Sequence, residues 1–333
     1  MRAVVCRAFG PADTHKVEDI PAPEMTTDGI RIRVRAAGLS FANLLVIEGK
    51  HQNKPALPFT PGTEIAGVVL EVAPGAGHMI NPGDRVCAGI PSGGFAEEVV
   101  ATPGNVFPIP DELEFTAATL FPTIYATAYA ALAWRAALQP DEVLLVHAAA
   151  GASGLAAVEI GKALGAKVIA TAGSPEKCAV ASSHGADHTI DYRAREFRTK
   201  VLDLTDGRGA DVIFDPVGGE VFQASLRCIA PLGRIIPIGF ASGRIPQISA
   251  NIVLVKNVTV IGIYWGYYLG WGKSQANAVV RAKVRDLFKD LFALAQRRAL
   301  NPVVDSTLQL DEFAAGLKRI ARRSVIGKVV IIP

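Results

Sequence analysis

The chain has 333 residues, half of them hydrophobic and a fifth charged, with a formal net charge of +3. That length exceeds one ordinary core and predicts two domains, and the composition excludes a disordered chain. The near-balanced charge has no massed basic run, which argues against a nucleic-acid footprint; Arg319, Arg322 and Arg323 read as one solvated helix face.

The opening "MRAVVCRAFG" runs straight into strand-like sequence without a long apolar stretch, so no secretory signal is expected. Cys6, Cys87, Cys178 and Cys228 are scattered and form no CxxC pair. This spacing fits inert thiols in a reduced, cytoplasmic compartment and argues against a cysteine-ligated structural zinc. "GIRIRVRAAG" alternates Ile30, Ile32 and Val34 with arginines, the period of a half-buried strand. "GTEIAGVVLEVAPG" and "GDRVCAGIPSGGFAEEVVA" read as further strands, and "NPGDRV" as a turn. Short strands at this spacing predict a barrel-like β domain.

The stretch 117–134, "AATLFPTIYATAYAALAW", imitates a membrane span in length and apolarity. Pro122, the threonines and the polar sequence that follows instead predict a buried helix and no membrane span. From about residue 125 the pattern changes. "EVLLVH", "AKVIAT", "HTIDY", "ADVIFD", "GRIIPIGF" and "VTVIGIYW" are apolar runs separated by helix-like segments. Such runs predict a doubly wound parallel sheet covered on both faces, so the chain is α/β. Beyond it, Val280, Val284, Leu287, Leu291 and Leu294 share one helical face, "DEFAAGLKRIARRS" reads as a helix capped by Asp311, and "GKVVIIP" as a closing strand. This mixed tail is expected to rejoin the first domain.

After the strand Val143–Val146 comes Ala149-Ala150-Gly151-Ala152-Ser153-Gly154. Read as G-x-G-x-x-G, it puts alanine at the first position and keeps the other two glycines. The middle glycine lets backbone approach a pyrophosphate, and the last lets helix pack on strand. A methyltransferase-type adenosyl site is the competing reading, and it usually wants acidic residues that this turn lacks. At the end of the next strand, where an NAD enzyme places a carboxylate for the ribose hydroxyls, the run is Thr171, Ala172, Gly173, Ser174. Nothing there repels a 2′-phosphate. Ser174 and the helix start can donate hydrogen bonds and Lys177 can neutralise charge, which favours NADPH over NADH. Ser174 also reads simply as an N-cap with Pro175 at the first helical position.

"PFTPGTEIAGVV" resembles the PGHE segment of zinc alcohol dehydrogenases, with Thr63 in place of the zinc-ligating histidine. In "GLSFANL", Ser40 stands where those enzymes carry a cysteine ligand, and the six histidines show no metal-ligand spacing. Without zinc as a Lewis acid, alcohol oxidation is disfavoured, whereas hydride transfer to an electron-poor quinone or α,β-unsaturated carbonyl needs only positioning and modest oxyanion help.

Together "PGTEIAG", "NPGDRV", "ATAYAAL", "HAAAGASG", "GADHTIDY", "DPVGG", "IGFASG" and "GKVVI" resemble, over essentially the whole chain, the zinc-independent quinone oxidoreductase branch of the medium-chain dehydrogenase/reductase superfamily, the zeta-crystallin-like reductases. The branch usually has AAxGGVG; Ala152 and Ser153 depart from it. The resemblance implies a GroES-like β-rich catalytic domain at 1–124 and 263–333, with a Rossmann NADPH-binding domain at 125–262. It also implies a homodimer pairing edge strands at "VTVIGIYW". By position, Gly151, Ala152 and Ser153 would meet the pyrophosphate, and Gly173, Ser174, Lys177 and Tyr192 the 2′-phosphate. Thr127, Asn43 and the loop Ile238, Gly239, Phe240 would approach the nicotinamide, with Val217 near its carboxamide. Asn43 and Thr63 are the candidate oxyanion-facing catalytic residues, and no metal is expected. The implied activity is NADPH-dependent reduction of quinones or enones. Enoyl-thioester reduction and a non-catalytic, crystallin-like NADPH-binding role remain as alternatives. Tyr264, Trp265, Tyr267 and Tyr268 read either as a pocket wall or as a packing or dimer contact.

Overall fold

The structure, a computed structural model, describes residues 1–77, 79–271 and 277–333. Its strands open with β1 (Arg2–Val5), β2 (Lys16–Asp19) and β3 (Ile30–Gly38). Helix α1 (Phe41–Ile47) leads to β4 (Glu64–Val72), β5 (Arg85–Gly89), β6 (Glu98–Ala101) and β7 (Val106–Pro108). Along β3 the isoleucines and Val34 point into the core while Arg33 and Arg35 are exposed, the burial alternation of a one-sided strand. Strand β4 comes unusually near β3, because a Cβ at Gly67 would fall 2.0 Å from the Arg33 carbonyl oxygen.

The apolar stretch after β7 is not one continuous α-helix. Helix α2 (Phe115–Ala118) is followed by a π-helical turn at Phe121–Tyr125, then α3 (Ala126–Tyr129), then a second π turn at Ala130–Arg135. Among the described residues no helix is long and apolar enough to cross a membrane.

Next come β8 (Val143–Val146), α4 (Ala152–Ala163), β9 (Lys167–Ala172), α5 (Pro175–Ser183), β10 (His188–Asp191) and α6 (Phe197–Asp203). The alternation continues through β11 (Ala210–Asp215), α7 (Gly219–Ser225), β12 (Ile229–Pro237), α8 (Ala250–Lys256) and β13 (Thr259–Val260). These six strands form one sheet in the order β10-β9-β8-β11-β12-β13, all neighbours parallel. In strand sequence that order is 3-2-1-4-5-6, the doubly wound dinucleotide-binding arrangement, and its order reverses between β8 and β11. Leu144, Leu145 and Val146 are wholly buried, as a strand covered on both faces requires. The run "VTVIGIYW" yields only the two-residue β13, because the chain leaves the sheet at Ile261.

The chain ends with α9 (Trp265–Tyr268), α10 (Ala278–Gln296), β14 (Val304–Gln309), α11 (Phe313–Ala321) and β15 (Lys328–Ile332). Val284, Leu287, Phe288 and Leu291 form the buried face of α10, with Val280 and Leu294 at its half-buried margins. Asp311 does not cap α11. The N-cap position of that helix is Glu312, which makes no side-chain cap bond; a capping box of Gln309 and Glu312 instead opens the short 3-10 turn Leu310–Glu312 before it, and Asp311 within that turn pairs with Arg2 on the surface.

The chain divides into two compact units, one of Met1–Thr123, Gly266–Phe292 and Pro302–Pro333, the other of Ile124–Trp265 and Ala293–Asn301. In the first, a seven-stranded sheet runs β14-β15-β3-β4-β5-β7 with β6 added on β3; it is antiparallel apart from β14 with β15. Its core gathers Ile32, Ile65, Val86, Phe95, Leu317 and Ile331. The second unit buries Leu145, Ile169, Ile213, Phe222 and Ile235 about the parallel sheet. All four cysteines are buried and free, and burial pushes the Cys6 and Cys228 thiols up to about 12, which leaves them inert as nucleophiles.

Candidate functional site

In the second unit the predicted cofactor residues fall on one edge of the parallel sheet. Gly151, Ala152 and Ser153 follow β8, Gly173 and Ser174 follow β9, and Tyr192 follows β10. Val217 follows β11, and Ile238, Gly239 and Phe240 follow β12. All lie beyond the carboxyl ends of their strands, where open α/β sheets bind ligands. Thr127 sits apart from this series, half-buried in α3.

The two retained glycines of the fingerprint do different things. A Cβ at Gly154 would lie 2.3 Å from the Ala148 carbonyl oxygen and 2.6 Å from Ala149 Cα, so α4 packs on the turn only because this residue lacks one. Gly151 is the N-cap of α4 at φ −81°, a conformation open to any residue, and a Cβ there would touch only the Ala148 oxygen at 3.4 Å. Packing therefore does not demand glycine at this position, whereas a phosphate drawn against the backbone does. The residue held in the left-handed region is Ala148 (φ 50°), one before the alanine aligned with the first fingerprint glycine. Such a conformation costs of order 1–3 kcal/mol in a residue with a Cβ.

At the end of β9, Ser174 caps α5, its Oγ accepting the Lys177 N–H at 3.2 Å, and Pro175 occupies the first turn. No carboxylate stands at residues 171–174. Tyr192 lies over Gly173, where a Cβ would meet its hydroxyl at 2.6 Å, and its side chain remains substantially exposed. Gly173 and Tyr192 thus form one surface beside the capped helix start.

In the first unit, Ser40, Asn43 and Thr63 cluster where β3 ends and β4 begins. Ser40 and Asn43 form the capping box of α1, with Asn43 Oδ1 accepting from the Ser40 N–H and hydroxyl, each at 2.8 Å. Asn43 Nδ2 points at Thr63 Oγ1 from 3.5 Å, the outer limit of a hydrogen bond. Asn43 is only 1% exposed, while Thr63 is half-buried. Ser40 and Thr63 offer neutral hydroxyls where zinc needs thiolate or imidazole, so this pair does not fit a zinc ion. Among the described residues no three His, Cys, Asp or Glu side chains come together as a possible ligand set.

Several polar groups here escape sequence reasoning. Next to Thr63, the buried Glu64 carboxylate accepts from the Lys328 ammonium and from the Thr123 hydroxyl. Burial pushes the Glu64 carboxyl up while Lys328 pulls it down. Gly38 leaves the niche: a Cβ there would meet Lys328 Cε at 2.7 Å and Glu64 Oε1 at 2.8 Å. In the second unit, Glu159 of α4 accepts from the Tyr125 hydroxyl at 2.6 Å and the Asn301 N–H at 3.1 Å, with His184 Nδ1 at 2.5 Å. Burial and the Glu159 carboxylate push the Tyr125 phenol well above its ordinary range. His147 is buried between Thr171 and Ser225, and burial holds its imidazole down to about 3. Asp215, at the end of β11, is also wholly buried. The partners of Glu64, Glu159 and His147 lie far apart in sequence, so no local signal announces them.

Residues 26–111 match the family described as Alcohol dehydrogenase GroES-like domain, and residues 152–283 the family described as Zinc-binding dehydrogenase. The chain is 42% identical to Quinone oxidoreductase-like protein 2 homolog of Nematostella vectensis, over 99% of this chain and 88% of that protein. Among solved structures, the quinone oxidoreductase of Thermus thermophilus, also determined in complex with NADPH, superposes with a TM-score of 0.83 at 31% identity, covering 100% of both chains. The quinone oxidoreductase of Pseudomonas syringae gives 0.89 at 29%, over 100% of this chain and 99% of that one. With the 3-2-1-4-5-6 sheet and the GroES-like unit, these likenesses show that the chain belongs to the quinone oxidoreductase branch of the medium-chain dehydrogenase/reductase superfamily.

Proposed function

We propose that the chain is an NADPH-dependent, zinc-independent reductase that transfers hydride to quinones or α,β-unsaturated carbonyls. The observation that carries this reading is the set of loops after β8, β9, β10, β11 and β12 on one sheet edge, with an uncrowded Gly151 and no carboxylate at residues 171–174. The relatives named for quinone oxidoreduction, one of them solved with NADPH, support it.

Gly151, Ala152 and Ser153 would hold the pyrophosphate with backbone N–H groups at the start of α4. Gly173, Ser174, Lys177 and Tyr192 would surround the 2′-phosphate, Lys177 supplying charge and the capped turn supplying donors. Val217, Thr127 and the loop Ile238, Gly239, Phe240 would shape the nicotinamide end. Bound NADPH supplies the hydride. Thr63, its acceptor side turned to Asn43 Nδ2, would direct its O–H toward the substrate oxygen that gains charge. Residues 1–124 and 263–333 would form the catalytic domain and 125–262 the cofactor domain. The place of β13 at the end of the sheet among the described residues and the exposed Leu254 and Val255 of α8 support a homodimer across that edge; a cytoplasmic location is part of the same reading.

The test is NADPH and NADH oxidation with an ortho-quinone, a simple enone and crotonyl-CoA side by side. Turnover of quinone or enone with NADPH is the expected result. Preference for the thioester would move the assignment to an enoyl-thioester reductase, and tight NADPH binding without turnover to a non-catalytic binding protein.

A further inference from the structure

One side chain shapes the first of the two loops proposed above for the nicotinamide end, and the second is bonded to that loop through backbone. Asp215 Oδ1 accepts the N–H groups of Val217 at 2.8 Å and Gly218 at 3.0 Å. The Asp215 carbonyl accepts the Ile238 N–H at 2.8 Å. The loops are then stitched together: Ala241 N–H donates to the Pro216 carbonyl at 3.1 Å and Ser242 N–H to the Val217 carbonyl at 2.9 Å. Gly218 and Gly219, at φ 70° and 55°, leave room for this approach, since a Cβ on them would meet Phe240 Cδ1 at 2.8 Å and Ser242 Oγ at 2.9 Å.

Asp215 is closed to solvent, and its Oδ2 has no hydrogen-bond partner. A buried carboxylate oxygen without a donor is destabilising, and an amide of the same shape would serve Oδ1 equally well. Burial accordingly pushes the carboxyl above the usual carboxylate range, against the pull of the two N–H donors. Both the turn 215–219 and the segment 238–242 lie beyond the strands on the outer side of the sheet reversal, β11 and β12. They are remote in sequence from the adenosine-side residues 173–177.

We propose that Asp215 is a positioning residue whose side chain fixes the turn after β11 in the shape onto which the loop after β12 is bonded by backbone, so that the two present the nicotinamide half of the cofactor with one preformed surface. This rests on the NADPH reading above. Only the nicotinamide half depends on Asp215; the adenosine half is held by residues that it does not touch.

The experiment compares equilibrium binding of NADPH with that of adenosine 2′,5′-bisphosphate, which carries only the adenosine half, in the full chain. Asp215→Ala raises the NADPH Kd about tenfold or more through loss of two charge-assisted bonds, and leaves the bisphosphate Kd unchanged. Asp215→Asn keeps an oxygen for both N–H donors and holds both Kd values within about threefold of wild type, with the melting temperature unchanged or raised. Amide exchange at Val217 and Gly218 quickens in Asp215→Ala and not in Asp215→Asn. Where Asp215→Ala does not fold, Asp215→Leu refills the buried volume and carries the same expectation. Equal losses for both ligands, no loss for NADPH, or a tenfold loss in Asp215→Asn overturn the proposal. Wild-type protein that binds neither ligand overturns the NADPH reading with it, a failure recognisable before any substitution is made.

Discussion

Adding one methyl group at Gly151 and at Gly154 should separate a ligand requirement from a packing requirement within a single turn. At Gly154 the new Cβ would fall 2.3 Å and 2.6 Å from backbone atoms of Ala148 and Ala149, which cannot rotate away. Overpacking of this kind costs about 1–3 kcal/mol, and the helix propensity gained on replacing glycine with alanine returns at most about 1 kcal/mol. Gly154→Ala is therefore expected to lose up to about 2 kcal/mol of stability in urea unfolding followed by circular dichroism. At Gly151 the same methyl meets one atom at 3.4 Å with φ at −81°, so no strain arises. The loss of unfolded-state freedom makes Gly151→Ala neutral or stabilising by up to about 1 kcal/mol. Its effect falls on binding: displacing a phosphate from close backbone contact forfeits charge-assisted hydrogen bonds and weakens NADPH about tenfold to a hundredfold. A Gly151→Ala chain that binds NADPH like wild type, or unfolds as easily as Gly154→Ala, would refute the reasoning.

The Glu64–Lys328 pair lies almost wholly in the interior, so Lys328→Met should strand a buried carboxylate and cost about 3–5 kcal/mol, whereas the double replacement Glu64→Gln with Lys328→Met should regain most of it. Denaturant unfolding of the set checks this, and a Lys328→Met protein as stable as wild type contradicts it. His147 titrates near 3 when folded and near 6.5 when unfolded, so the unfolded chain binds the extra proton between those values. Its contribution to stability is complete above about pH 6.5 and falls by up to about 1.4 kcal/mol per pH unit below it. Unfolding at pH 7, 5.5 and 4.5 should show a shallower slope for His147→Gln, and an identical slope would count against the buried neutral imidazole. Lys177→Ala should weaken NADPH by about tenfold and NADH little, as read by nucleotide fluorescence; equal losses would remove its 2′-phosphate role. Leu254→Glu with Val255→Lys should shift a dimer to monomer in sedimentation velocity, and an unchanged mass would place any interface elsewhere.

The parallel sheet was readable from sequence because each strand covered on both faces is a continuous apolar run, with β8 and β11 as clear cases. The tip of "VTVIGIYW" misleads for the same reason, since apolarity marks burial and Ile261 is buried where the strand has already ended. Likewise the stretch 117–134 is mostly apolar, and periodicity does not register the π turns around Pro122 and beyond Tyr129. The start of α11 escaped because a 3-10 turn with its own capping box, Gln309 with Glu312, precedes the helix and takes up Asp311. Of the candidate site, the loops at the strand ends were legible by motif, as was the substitution of Ser40 and Thr63 for zinc ligands. What holds those residues was not. Lys328 reaches Glu64 from 264 positions away, and the turn held by Asp215 is bonded through backbone to a loop more than twenty residues further on. The burial of Asn43 and its facing of Thr63 across twenty positions were likewise not legible.

Direct hydride transfer is the central claim, and label transfer tests it. NADPH carrying deuterium at the transferable nicotinamide position is turned over with an α,β-unsaturated ketone, and the product is analysed by NMR. The account predicts one deuterium at the β-carbon and none exchanged into water. Deuterium found in solvent, or a labelled alcohol with the alkene intact, would contradict it.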